Sequence, residues 1–150
     1  MAMLTDIPLP ARALGFAGAL PFVAGAAGVW TLEAPWDWVA LNAQVYYGCV
    51  ILSFLGAVHW GRALGSSLQG EALWRPLGWS VTPSLIAWVA ALAKPDLAIA
   101  VVVAGLVLAY GIDRSATARG WFPAWYGVLR KYLTALAVAG LGASLVKVLA

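Results

Sequence analysis

Four ionisable side chains fall inside or at the edges of long apolar runs: His59, Arg62, Asp113 and Arg130. An unpaired charge in such a setting is costly, so these groups must face protein, water or a bound headgroup instead of acyl chains. An imidazole changes charge near neutral pH and can hydrogen-bond a carbonyl, a guanidinium donates to carbonyls and anions, and a carboxylate can hold either of them. His59 and Arg62 are three residues apart and share a helix face. With Trp60, Trp125 and Tyr126 as walls, the four are expected to line one shallow polar pocket, either ligand-binding or structural. In the structural alternative Asp113 pairs with Arg62 or Arg130, and His59 hydrogen-bonds a neighbouring backbone group and locks the helices together.

Missing motifs narrow the chemistry further. The chain has one cysteine, Cys49, and one histidine, so an internal disulfide and a thiolate cluster are excluded. A zinc site would need carboxylates or another chain, and bis-histidine haem would need a second copy or a partner. There is no Gly-rich phosphate loop, nucleophile elbow or metalloprotease pair. No catalytic residue and no metal ligand is therefore assigned. Quinone or bound lipid are the cofactor candidates.

The elements that position these groups follow from composition. Of 150 residues 63% are hydrophobic and 10% charged, whereas a soluble domain carries about a quarter charged residues. The expectation is an all-α polytopic membrane protein, a single five-helix transmembrane domain, and no nucleic-acid partner. Spans are expected at about 13–32, 41–64, 76–93, 97–113 and 128–149, against the ~20 residues that a helical crossing needs. The first resembles a secretory signal, with Ala24-Gly25-Ala26 like a cleavage site, but its apolar run continues without a polar region after it, so it is expected to be retained. Arg75-Pro76 should open the third helix, and Pro83 should kink it, with Ser80, Thr82 or Ser84 serving the freed carbonyls. Lys94-Pro95-Asp96 should close a tight hairpin into the fourth and shortest run.

Charge placement orients the bundle. With five spans, Arg12, Arg62, Arg75, Arg114, Arg119, Arg130 and Lys131 lie on the N-terminal side, against Lys94 and Lys147 on the other. By the positive-inside rule the N-terminus is then cytoplasmic and the C-terminus periplasmic. Trp30, Trp36, Trp38, Trp74, Trp79, Trp121 and Trp125 cluster near the expected span ends, as interfacial anchors do. Trp60 and Trp88 lie farther within helices. Ala57, Gly61 and Gly65, and likewise Ala135, Ala139 and Ala143, form small-residue seams that let helices approach closely, within one chain or between copies.

The segment Ser53-Phe54-Leu55-Gly56-Ala57-Val58-His59-Trp60-Gly61, together with Pro83-Ser84-Leu85-Ile86-Ala87-Trp88, Asp113, Pro123-Ala124-Trp125-Tyr126, Leu129-Arg130 and Leu133-Thr134, resembles an uncharacterised proteobacterial and mitochondrial inner-membrane family that includes transmembrane protein 69. The resemblance implies a multi-pass protein of the bacterial or mitochondrial inner membrane, here expected in the bacterial one, and supplies no established activity. It places His59, Trp60, Asp113, Trp125 and Arg130 in matching segments.

The leading functional expectation is a non-enzymatic membrane protein acting through helix contacts, as an accessory or assembly subunit of a larger complex or as a homo-oligomer. The second is a binding module for a hydrophobic cofactor or lipid, quinone ahead of haem, in an inner-leaflet pocket around His59. A small proton-linked transporter using His59 and Asp113 is the third, and a membrane-embedded enzyme the fourth. Membrane lipid, other membrane chains and further copies of itself are the expected partners.

Overall fold

The computed structural model describes residues 3–150, and among them every regular element is a helix. In chain order the helices are α1 (Leu9–Ala17), α2 (Leu20–Thr31), α3 (Trp36–Leu64), α4 (Trp74–Ala91), α5 (Pro95–Ala118) and α6 (Ala124–Leu149), with 3-10 turns at Leu4–Asp6 and Gly70–Leu73. Leu9–Thr31, which joins α1 and α2, and α3, α5 and α6 are each long and apolar enough to cross a membrane. Helix α4, at 18 residues, is about 27 Å long, near the ~30 Å hydrocarbon thickness. It is less apolar because it carries Arg75, Gly78, Ser80, Thr82, Pro83 and Ser84. The chain is an all-α membrane bundle.

Helix boundaries differ from the expected spans for local reasons. The first apolar run divides at Gly18 and Ala19. Pro21 has no N–H for the Ala17 carbonyl, the Phe22 N–H turns to the Ala19 carbonyl, and the Gly18 carbonyl accepts from the hydroxyl of Tyr47 at 2.8 Å. Gln44 Nε2 donates to the Phe22 carbonyl at 2.7 Å, a second contact that ties α3 to the start of α2. The fourth run reaches Ala118 instead of stopping at 113, giving 24 residues. Its polar last turns continue the helix through Asp113 and Thr117, whose Oγ1 donates to the Asp113 carbonyl at 2.8 Å.

Helix α3 is the hub: it packs on α2, α4 and α5, while α6 closes the assembly against α5 and α2. Leu52, Ile99, Val102, Leu106 and Leu141 are among the largest fully buried apolar side chains of the core. Two glycines permit the tight contacts. A Cβ on Gly56 would run into the Ser80 carbonyl and the Pro83 ring, and one on Gly140 would lie 2.7 Å from the Phe22 carbonyl. Pro83 is buried against α3, and the carbonyls near it receive side-chain hydroxyls, with Ser80 Oγ donating to Leu77 at 2.6 Å and Thr82 Oγ1 to Gly78 at 2.9 Å.

The two seams noted in the sequence do not close within the chain. Ala57, Gly61 and Gly65 are exposed on α3, and Ala135 and Ala139 are exposed on α6 with Ala143 half-buried. The packing glycines occupy the other face of the same helices. Both faces are apolar, so spacing alone could not distinguish them.

Candidate functional site

Three helices deliver the polar cluster to one end of the bundle. His59 stands in the penultimate turn of α3, Asp113 near the end of α5 and Arg130 in the second turn of α6. The short connection 119–123 folds α6 back on α5, which brings Asp113 and Arg130 face to face. His59 arrives from α3 by tertiary packing. All three are buried, with relative exposures of 1% for Asp113 and 4% each for His59 and Arg130.

Asp113 is the centre. Its Oδ1 lies 2.7 Å from His59 Nε2, and its Oδ2 accepts from Arg130 Nε at 2.6 Å and from the Tyr126 hydroxyl at 3.3 Å. A carboxylate oxygen can only accept, so His59 Nε2 carries the proton of this contact. The His59 ring is held edge-on by Phe122, with centroids 4.9 Å apart, and faces Trp79 at 6.3 Å. Phe122 in turn packs on Tyr126 at 4.7 Å.

The expected residues therefore divide. His59, Asp113, Tyr126 and Arg130 come together. Trp125, half-buried, meets Tyr126 edge-on with ring centroids 6.3 Å apart and lines an adjoining cavity. Arg62 does not join them: its Nε donates to the Trp121 carbonyl at 2.9 Å and its guanidinium sits 4.4 Å over the Trp121 ring. His59 bonds the carboxylate and not a backbone group. Trp60 is 43% exposed on the outer surface, because one residue beyond His59 is about 100° around the helix, so it is no wall of this cluster.

Two cavities flank the cluster and share no lining residue. The first, about 340 Å³, lies between α1, α3 and α6 and is walled by Leu14, Phe22, Phe54, Leu55, Trp125 and Leu133, with Tyr126, Arg130 and Thr134 as its polar members. Arg130 Nη2 and Thr134 Oγ1 are buried without a hydrogen-bond partner among the described residues. The second, about 450 Å³, includes His59, Arg75, Trp79, Ser115, Arg119 and Trp121. Sequence reasoning missed Thr134, Trp79 and Phe122. The signal for Thr134 is its spacing of four from Arg130, which places both on one face of α6. Phe122 offers none, since it lies in a connection. Among the described residues no three His, Cys, Asp or Glu side chains gather to hold a metal ion.

A buried ionic cluster at one end of an apolar helical bundle, beside an apolar cavity, defines an integral, multi-pass membrane protein. Residues 7–146 match the family described as "Protein of unknown function (DUF3429)", and the chain belongs to it. It is similar to "Transmembrane protein 69" of Xenopus tropicalis, 36% identical over 143 residues that make up 95% of this chain and 56% of the relative. The "Transmembrane protein 69" of Mus musculus is 29% identical over 134 residues, 89% of this chain and 54% of the relative. The chain thus spans about half the length of these curated relatives. No solved structure matches it.

Proposed function

We propose that this chain is a non-enzymatic binding module of the bacterial inner membrane, oriented with its N-terminus cytoplasmic, that holds a lipophilic molecule bearing a neutral carbonyl. The observation that carries the reading is that Arg130 and Thr134, whose Nη2 and Oγ1 are buried without a partner among the described residues, both line a largely apolar cavity. A buried donor without an acceptor costs about 1–3 kcal/mol, and a carbonyl oxygen between the two relieves both. Charge selects a neutral head: the Asp113 carboxylate already compensates the Arg130 guanidinium, so a second carboxylate would stay unpaired in an apolar setting. Quinones and the ester carbonyls of glycerolipids fit these terms. Haem ligation by His59 is disfavoured because its Nε2 is taken by Asp113 and it lines the other cavity.

Lipid and quinone extracted from protein purified in mild detergent provide the test. A stoichiometric carbonyl-bearing lipophile is expected in the parent and lost in Thr134→Val, a change of nearly constant shape, and in Arg130→Gln. An extract identical in the parent and in well-folded Thr134→Val sinks the proposal.

A second reading, an accessory or assembly subunit or a homo-oligomer acting through helix contacts, is favoured by the outward seams of α3 and α6, which present small residues to the lipid. Placing leucine at Gly61 should dissolve an oligomer or release a co-purifying chain. A parent that runs only as an isolated monomer rejects this reading.

A further inference from the structure

The second cavity has no part in the carbonyl reading. It opens where α3 and α5 end and α4 begins, and no carboxylate lines it. Arg75, in the first turn of α4, and Arg119, which caps α5, both do, and neither forms an ion pair among the described residues. Arg119 Nη1 donates to Ser115 Oγ at 2.5 Å, which holds the guanidinium along the wall. Two cations facing one concavity repel each other, and low-dielectric walls focus their field on the space between them. His59 and Ser115 also line it, His59 buried with its Nε2 engaged by Asp113.

The geometry points to a binding site for a phosphate-type oxyanion held between Arg75 and Arg119. Planar guanidinium groups match phosphate oxygens in pairs and lose little hydration in doing so. An anion between them removes the mutual repulsion. The phosphate is that of an anionic lipid headgroup or a free ion from the adjoining water. The half-buried indole of Trp79, which also lines the cavity, gives a glycerol moiety an apolar surface.

The test uses the full chain in detergent micelles and reads retained lipid by native mass spectrometry, with phosphatidylglycerol and phosphatidylcholine offered in equal amounts. Tryptophan emission during a titration with inorganic phosphate provides a second readout, because Trp79 and Trp121 line the cavity. Preference for phosphatidylglycerol should fall at least about tenfold in the double variant Arg75→Gln, Arg119→Gln, as expected for loss of charge-assisted contacts. Arg114→Gln, an exposed change on the same helix outside the cavity, should leave the preference intact. Saturable phosphate quenching that the double variant abolishes identifies the free ion, and phosphatidylglycerol preference without it identifies the headgroup. Equal retention of both lipids with no phosphate response overturns the proposal, as does an Arg114→Gln loss equal to that of the double variant. Both substituted arginines are exposed and unpaired by carboxylates, so folding is not at risk.

Discussion

Replacing Asp113 with Asn is the sharpest probe of the cluster, because it changes charge with almost no change of shape. The side-chain oxygen of Asn can still accept from Arg130 Nε, and its NH2 then faces His59 Nε2. His59 meets that donor by moving its own proton to Nδ1, so the histidine contact survives and the loss falls on Arg130. A guanidinium 4% exposed is left without its counter-charge. Removing one partner of a buried ion pair costs about 3–5 kcal/mol, which lowers the folding constant by at least about a hundredfold. Adding Arg130→Met removes the stranded charge and keeps a long apolar side chain, and exchange of a buried pair for apolar packing is about neutral. The double variant is therefore expected to be more stable than Asp113→Asn alone. Denaturation by sodium dodecyl sulfate from mixed micelles, followed by tryptophan emission, gives all four corners of the cycle. A loss under about 1 kcal/mol for Asp113→Asn, the range of exposed pairs, with no recovery in the double variant, would refute the argument that this pair is buried and charged.

Other expectations follow from single contacts. Gly56→Ala forces a methyl against the Ser80 carbonyl and the Pro83 ring and should destabilise by about 1–3 kcal/mol. Gly61→Ala, with nothing within 4 Å, should leave the thermal midpoint unchanged, and equal midpoints for the two variants would contradict the α3/α4 packing. Arg62→Ala removes both the Trp121 carbonyl bond and the stacking over its ring; it should cost about 1–2 kcal/mol and shift indole emission to the red, whereas unchanged emission would show that Arg62 does not hold the 119–123 connection. In a Cys49→Ala background, a membrane-impermeant maleimide on intact cells should label Glu33→Cys and spare Ser67→Cys, and the opposite pattern would invert the proposed orientation.

Some of the site was legible before any fold. Asp113 and Arg130 flank a short connection between two apolar runs, so their meeting needs only a hairpin, and hydropathy and charge locate hairpins in a membrane chain well. His59 joins them from another helix, yet an ionisable group within an apolar run must find a polar partner, and the placement of charges left few. Arg62 was less legible. It occupies the same face as His59 one turn later, but that turn carries it past Asp113 to the Trp121 carbonyl, whose position depends on how the connection between α5 and α6 folds. Trp60 was misplaced because sharing a span end with His59 does not say which way a side chain turns: the next residue lies about 100° around the helix.

Hydropathy, charge asymmetry and the punctuation at Gly, Pro and Lys94-Pro95 are properties of consecutive residues, so the amino-acid sequence by itself determined that the chain is a helical membrane bundle and which polar groups share an end of it. Tertiary structure alone decided the rotation of each helix about its axis. In water an amphipathic face announces that rotation, but between lipid and a packed interior the two sides of a helix are equally apolar. Close packing therefore chose Gly56 over Gly61 for the inner face of α3, and set Arg130 and Thr134 together against a cavity that no spacing rule could have placed.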